Sequence, residues 1–456
     1  MDLFDPSDSR PVHFMGIGGA GMSALALIAR RRGVVVSGCD GDPAGAADVV
    51  ALGARVSKGH DPRHIVGARA VIVTAAIPST HPELDAARAA GIPVVPRKEA
   101  LAQLIRDGSV VAAAGTHGKT TTTVMTTLAL TAAGLDPTGL AGGRVSEWGG
   151  NAKLAGDHLF VVEADEYDKA FLTLTPSIAI VNNVEADHLE CYGSVEALEE
   201  SFAEFAGRAR TAFLGANDAG ARRVGNRLTR KPWYFGLDHA DLLLDRIEQS
   251  AEESKARLRF PDKQVVHLRL QVPGIHNLRN AAGALGAAWA LNAEMEPALA
   301  ALAEYRGLGR RFERLGEFGG IALVDDYAHH HSELAATLAA ARQAFPGRRL
   351  VAVFQPHLYS RTAAHGAAMG AALSAADLVI VSEIYAARES PMPGISGEQV
   401  AAAARAGGAE TVFEPSRDKL TKRVFDAIKP GDVVLTLGAG DITKVGRELV
   451  EWLRAD

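Results

Sequence analysis

The chemically most telling stretch is Gly115-Thr-His-Gly-Lys-Thr-Thr121, which directly follows the apolar run Val110–Ala114. A strand that ends in a glycine-rich turn and a Gly-Lys-Thr triplet has the residue types of a phosphate-binding loop. Lys119 is expected to reach the β- and γ-phosphates and Thr120 to ligate Mg²⁺. Gly115, Thr116, His117, Gly118 and Thr121 complete the expected ATP contacts. The first glycine of the general pattern would fall at Ala113, so the pattern is incomplete there. No guanine-reading Asn-Lys-x-Asp element follows, which favours ATP over GTP.

A second loop, Gly16-Ile-Gly-Gly-Ala-Gly21, also follows a strand and opens a helix. Glycines let a backbone approach a diphosphate, and a helix N-terminus favours its charge. Gly16, Gly18, Gly19, Gly21 and Met22 are therefore candidate ligand contacts. Asp40, at the end of the next strand, is placed to accept a ribose hydroxyl. From this loop alone NAD, FAD and a UDP-sugar are equally open, as is a turn without a ligand.

Acids and histidines end several further strands. Val161-Val-Glu-Ala-Asp-Glu166 offers Glu163 as a Mg²⁺ ligand, with Asp165 and Glu166 as ligands or solvated charges. Asn182-Asn-Val-Glu-Ala-Asp-His188 points to His188 at a second metal. Gly274-Ile-His-Asn-Leu-Arg-Asn280 starts a helix whose first turns place His276, Asn277 and Asn280 either as caps or against an adenine edge. In Gly309-Arg-Arg-Phe312 the arginine pair is surface charge or a phosphate clamp. Asp325-Asp-Tyr-Ala-His-His-His331 reads as a substrate-facing loop rather than a metal site, because consecutive loop positions rarely converge on one ion. Arg361, after the strand ending near Gln355, suits a bidentate pair with a carboxylate. Leu437-Gly-Ala-Gly-Asp441 is a turn or a ligand contact.

Three αβ segments must position these residues. The first, 1–105, alternates strands at Val12–Gly16, Val34–Cys39, Ala70–Ala75 and Pro93–Val95 with a helix over Ala20–Arg32, a pattern that predicts a parallel sheet. The second, 106–315, adds strands at Val110–Ala114, Leu159–Ala164 and Ser177–Asn182. Its stretch from about 232 to 272 reads as appended antiparallel strands, followed by a helix at Gly274–Leu291. The third, 316–456, has strands at Ile321–Asp325, Leu350–Gln355, Leu378–Ser382 and Val433–Leu437. The fold class is α/β in three domains.

With 456 residues the chain exceeds one hydrophobic core. A net charge of −6 argues against nucleic acid as the main partner. Cys39 and Cys191 form no metal spacing or disulfide framework, which fits a reducing compartment. The acidic first ten residues differ from a secretory signal, and no apolar run is long enough to span a membrane. A cytoplasmic protein without membrane insertion is expected, as a monomer or weak homodimer.

In their order along nearly the whole chain, these motifs resemble the Mur ligase family. The resemblance rests on His13-Phe-Met-Gly-Ile-Gly-Gly-Ala-Gly-Met-Ser23, Gly115–Thr123, Glu163-Ala-Asp-Glu-Tyr-Asp168, Glu185-Ala-Asp-His188, His276-Asn-x-x-Asn280, Gly309-Arg-Arg-Phe312 and Asp325-Asp-Tyr-Ala-His-His330. It implies a Rossmann-like UDP-sugar domain, a central P-loop ATPase domain and a Rossmann-like C-terminal domain. It also implies ATP, Mg²⁺, UDP-N-acetylmuramate and L-alanine as ligands of an amide-forming ligase. Lys119, Glu163, His188, Arg311 and His329 would be catalytic, with Thr120, Glu163 and His188 at metals. His276, Asn280 and Asp325 would serve ATP, and Tyr327 and Arg361 the substrate. The family usually has proline at His331 and often arginine at Leu358, which predicts a less rigid loop and one fewer cationic contact. Relatives often carry a carbamylated lysine after the metal histidine, yet no lysine occurs here between Lys169 and Lys231. Two rivals are a recycling ligase that adds a tripeptide to the same sugar nucleotide and an NAD-dependent oxidoreductase. The second leaves Gly115–Thr121 unexplained.

Overall fold

The computed structural model describes residues 2–74, 76–250, 252–387 and 389–455. Among the described residues the strands form three sheets, of five, ten and six strands. The first contains β1 (Val12–Met15), β2 (Val36–Asp40), β3 (Arg55–Lys58), β4 (Ala70–Val73) and β5 (Val94–Pro96) in the order β3-β2-β1-β4-β5. All four pairings are parallel. The strand expected at Ala70–Ala75 ends at Val73, and Ala75 lies outside the described residues. Chain direction across the sheet reverses between β1 and β4, the crevice where open αβ sheets bind ligands.

The second sheet contains β6 (Ser109–Ala114), β7 (Thr138–Val145), β8 (Gly150–Lys153), β9 (Leu159–Glu163), β10 (Ile178–Val181), β11 (Thr211–Gly215), β12 (Trp233–Gly236), β13 (Leu242–Gln249), β14 (Ser254–Arg259) and β15 (Val265–Leu270). Their order is β15-β14-β13-β12-β11-β10-β6-β9-β7-β8. The antiparallel reading of 232–272 needs correction at its start. β12 pairs parallel with both β11 and β13; the helix Ala219–Asn226 carries the chain back between β11 and β12 and makes the first of these pairings possible. Tight turns closed by Ser250 N–H on Glu253 O and by Phe260 N–H on Gln264 O, each 2.9 Å, join β13, β14 and β15. Strict in–out alternation along β15 marks a sheet with one wet face.

The third sheet contains β16 (Glu313–Phe318), β17 (Ile321–Asp326), β18 (Leu350–Phe354), β19 (Leu378–Ser382), β20 (Glu410–Glu414) and β21 (Val433–Leu437), ordered β16-β17-β21-β18-β19-β20. Only β16 runs antiparallel to its neighbour. Runs such as Leu-Val-Ala-Val-Phe at β18 are buried on both faces, as covered parallel strands require. Apolar clusters lie on both sides of this sheet.

The chain separates into two compact units. One comprises Met1–Asp245, Arg257–Leu268 and Arg279–Leu302; the other comprises Arg246–Ala256, Arg269–Leu278 and Ala303–Asp456. Within the first unit the first two sheets share one apolar cluster running from Leu3 to Val224. Polar ties reinforce it. Asn151 Nδ2 donates to Ala20 O at 3.1 Å, Arg32 Nε meets Asp157 at 3.1 Å, and Lys98 Nζ meets Asp168 at 2.8 Å. Among the described residues no helix is long and apolar enough to cross a membrane.

Candidate functional site

Two glycine loops of the first unit carry most of the predicted residues. The second begins where β6 ends and passes into the helix Lys119–Ala132. That helix begins Lys-Thr-Thr-Thr-Thr, a poor intrinsic helix former. Its threonines bury and bond back to the preceding turn, with Thr126 Oγ1 on Thr122 O at 2.7 Å and Thr127 Oγ1 on Thr123 O at 2.8 Å. The loop is tethered by residues after β10. Asn183 Oδ1 accepts from His117 N–H at 2.8 Å, Asn182 Nδ2 donates to His117 O at 3.2 Å, and Thr116 Oγ1 accepts from Glu185 N–H at 2.8 Å. Gly118 has φ +79°, and a Cβ there would fall 2.7 Å from Asn280 Oδ1 and 2.9 Å from Asn182 Nδ2. Space and backbone both demand glycine.

Lys119 Nζ donates to Gly115 O and Glu166 Oε1, each at 2.8 Å. Burial works against its charge, but attraction by Glu166, then Asp165 and Glu163, outweighs it and raises its pKa above the ordinary value. The lysine is charged and poised beside the loop carbonyls. Of the three acids of Glu163–Glu166, Glu166 is therefore the lysine's partner rather than a solvated charge. Glu163 ends β9 beside Ala113 and accepts Gly142 N–H at 2.6 Å. His188 sits in a left-handed backbone conformation, with its ring edge-on to Tyr167 at 5.2 Å. Among the described residues, the His, Cys, Asp and Glu groups whose ligand atoms converge include neither Glu163 nor His188.

The first glycine loop faces a cavity of about 590 Å³. Gly16, Gly18, Gly19, Gly21, Met22 and Asp40 line it, together with Thr74, Arg97, Leu140, Glu163 and Asp165. It therefore runs from the β1/β4 crevice to the middle of β7 and the end of β9, which pairs with the strand leading into the phosphate loop. Asp40 lines the cavity and also has partners within the loop itself. Its Oδ2 accepts Gly18 N–H at 2.8 Å and its Oδ1 accepts Asp42 N–H at 2.9 Å, so the carboxylate shapes the loop.

Sequence reading missed Arg97. It opens the helix Arg97–Ile105 straight after β5 and is the one arginine or lysine among the described cavity-lining residues. Its Nη1 would lie 2.8 Å from a Cβ on Gly21, so that glycine gives the guanidinium room. A basic residue at the end of a parallel strand was the available signal.

In the second unit, residues at the ends of β17 and β18 gather. Arg310 and Arg311 stack on the Tyr327 ring at 4.9 and 5.2 Å. Arg311 also meets Glu333 at 3.4 Å. His329 Nδ1 lies 2.9 Å from Tyr327 O, and since a carbonyl can only accept, Nδ1 carries the proton and Nε2 the lone pair. Burial lowers the His329 pKa to about 4, so the ring is neutral at physiological pH. Arg361 is largely buried in the first turn of the helix Tyr359–Leu373.

Two expectations fail here. Asp325 is wholly buried, bonded by Thr436 Oγ1 and 3.4 Å from Arg310 Nε, so it positions the arginine and has no face for ATP. His331 is not a loop residue but opens the helix His331–Ala344, stiffened by a capping box between His330 and Glu333. The Leu437–Asp441 turn is held internally, by Arg310 on Gly440 O at 3.2 Å and Gln355 on Asp441 at 2.9 Å. Leu358 takes φ +68° just before its helix and brings no charge. His276 packs on Gly274 at the start of the helix Ile275–Ala290, and Asn277 Nδ2 caps Pro273 O at 2.8 Å, whereas Asn280 reaches the phosphate loop.

Comparison with known proteins agrees with this geometry. Residues 11–108 match the model of the Mur ligase family catalytic domain, 113–288 the Mur ligase middle domain, and 310–440 the Mur ligase glutamate ligase domain. The chain is 43% identical to UDP-N-acetylmuramate–L-alanine ligase of Thermobifida fusca (strain YX), over 97% of this chain and 96% of that protein. The crystal structure of UDP-N-acetylmuramate-alanine ligase from Thermotoga maritima superposes with a TM-score of 0.83 at 29% identity, covering 98% of this chain and 99% of that one. A murein peptide ligase from Psychrobacter arcticus 273-4 follows at 0.72 and 25%, covering 98% and 99%. Three domain models in order, a full-length relative and a charged lysine in a tethered phosphate loop converge on one conclusion: the chain belongs to the Mur ligase family.

Proposed function

We propose that this chain joins L-alanine to UDP-N-acetylmuramate at the expense of ATP, an amide-forming step of peptidoglycan synthesis. The observation that carries the reading is the cavity that runs from the first glycine loop to Glu163, beside the phosphate loop. A sugar nucleotide held there has its diphosphate at Gly16–Gly21 and Arg97. Its lactyl carboxylate then points toward the γ-phosphate of ATP on Lys119.

The carboxylate oxygen attacks the γ-phosphorus in line, ADP leaves, and an acyl phosphate forms. The alanine amine attacks the acyl carbon and phosphate departs. Lys119 steadies the negative charge that develops on the transferred group, and the asparagine-tethered loop fixes its position. Thr120 and Glu163 offer the oxygen donors that Mg²⁺ prefers, so they fit this cation better than the nitrogen of His188 does. When bound, Mg²⁺ neutralises phosphate charge. In the second unit Arg311 and Arg361 suit the alanine carboxylate, and His329 Nε2, with its lone pair, suits the amine proton. The domain roles follow the boundaries near 105 and 315. The cytoplasm, where sugar nucleotide and ATP coexist, is the expected compartment.

The test is ADP release with UDP-N-acetylmuramate and each standard amino acid in turn. L-Alanine alone should give full turnover, and isotopic oxygen from the lactyl carboxylate should appear in the released phosphate. Turnover with a tripeptide but not with alanine favours the recycling ligase. Label retained wholly in product and substrate excludes the acyl phosphate.

A further inference from the structure

Beneath the first glycine loop, metal-ligating side chains that the ligase reaction does not use converge on one buried carboxylate. Glu83, in the first turn of the helix Pro82–Ala89, is fully buried. His60 Nδ1 lies 3.2 Å and Cys39 Sγ 3.4 Å from its Oε2, and His60 Nδ1 and Cys39 Sγ are 3.2 Å from each other. His13, on β1, has a ligand atom within 4.8 Å of those of Cys39 and Glu83. Register explains the convergence. His13 pairs with Ser37 and Met15 with Cys39 across β1 and β2, so His13 and Cys39 lie on one face of the sheet.

A sulfur, an imidazole nitrogen and a carboxylate oxygen separated by 3.2, 3.4 and 3.2 Å form a compact triangle. Bond lengths of about 2.0–2.3 Å at a tetrahedral Zn²⁺ give ligand–ligand edges of roughly 3.3–3.6 Å. Ordinary hydrogen bonding accounts for part of the cluster, since Asp61 N–H and His64 also meet Glu83, at 2.8 and 3.1 Å. It does not account for His13. That ring is 1% exposed, its Nδ1 meets Ser37 Oγ at 3.0 Å, and its Nε2 has no hydrogen-bond partner. An apolar shell of Met15, Ile65, Val71 and Leu84 surrounds the cluster, while exposed His60 opens onto the large cavity and provides an entry path.

We propose that Cys39, His60 and Glu83, with His13 as the fourth ligand, form a binding site for a borderline-soft divalent cation, Zn²⁺ foremost. Thiolate and imidazole ligands select this class over the Mg²⁺ that serves nucleotides. Binding forms the sulfur–metal bond and releases the thiol proton to solvent. The site bears on the glycine loop directly, because Cys39 O accepts Gly16 N–H at 2.8 Å and Ile17 N–H at 3.2 Å, and the next residue, Asp40, holds Gly18. A cation at Cys39 therefore stiffens the loop that faces the sugar nucleotide.

The experiment titrates the chelator-treated full-length protein with Co²⁺ as a spectroscopic probe and then displaces it with Zn²⁺. One equivalent of Co²⁺ should give tetrahedral ligand-field bands and a thiolate-to-cobalt charge-transfer band. Cys39→Ser should lose the charge-transfer band, while Cys191→Ser should keep it. Zn²⁺ should raise the thermal midpoint of the wild type but not of Glu83→Gln. A wild type without the charge-transfer band overturns the proposal, and needs no variant to fold. A band that survives Cys39→Ser, or disappears in Cys191→Ser, overturns it equally.

Discussion

The two glycine loops of the first unit share one local plan, a parallel strand, a glycine turn and a helix, yet opposite charges close them. After β1, the carboxylate of Asp40 grips Gly18 N–H, and the cation, Arg97, arrives from a different strand end. After β6, the cation is Lys119 of the loop itself, and neutral asparagines grip the backbone. The first loop fronts a cavity of about 590 Å³, whereas Gly118 of the second is hemmed by Asn182 and Asn280. A roomy loop with a borrowed cation suits a large ligand recognised along its length. A tight loop with its own lysine suits a phosphate chain that must be placed for attack. The same backbone plan thus binds or reacts according to where its cation comes from.

That contrast can be broken most severely at Lys119. Lys119→Ala should reduce ADP release by a factor of hundreds or more, since one lost transition-state contact costs on the order of 3–4 kcal/mol. A folded variant with near-normal turnover would refute the assignment. Arg97→Met should act on the other loop. The KM for UDP-N-acetylmuramate should rise about ten- to a hundredfold, in line with about 1.5–3 kcal/mol for a hydrogen bond to a charged group, while the KM for ATP stays unchanged. An equal rise in both constants would show that the two loops are not separate in function. Asp40→Asn, which keeps an acceptor for Gly18 N–H, should change the sugar-nucleotide KM by only about a factor of a few, and Asp40→Ala by more. Steady-state kinetics of the pair would reveal whether Asp40 acts through the loop; equal and severe losses in both would indicate direct ligand contact.

The smallest expected effect is that stability conferred by Lys119 at the second loop does not decline as pH rises. Lys119 has a raised pKa, so its favourable contribution is fully present below the ordinary lysine value and is lost only as pH rises through the higher folded one. The stability difference between wild type and Lys119→Met, from urea midpoints, should therefore not shrink between about pH 7 and 9.5, and the buried Glu166 carboxyl, pushed up by burial and stripped of its cation in the variant, can only widen it. A difference that shrinks within this window would mean that Glu166 and its neighbours do not hold the lysine charged.

Much of the site was legible because it is local. A phosphate loop needs a strand, a glycine with space around it and a lysine at fixed spacing, and all lie within Val110–Thr121. Strands buried on both faces also declared themselves, because continuous runs of Val, Ile and Leu leave few other places to go. The β12 pairing, by contrast, depended on a crossover helix rather than on alternation in its own residues.

By itself the sequence determined the αβ alternation, the two glycine loops and the order of the family motifs, because each follows from spacing along the chain. Tertiary structure alone decided which charges meet. Arg97, at the start of the helix that follows β5, meets Gly21 of the first loop only because β5 lies beside β4 in the sheet order, next to the β1/β4 crevice.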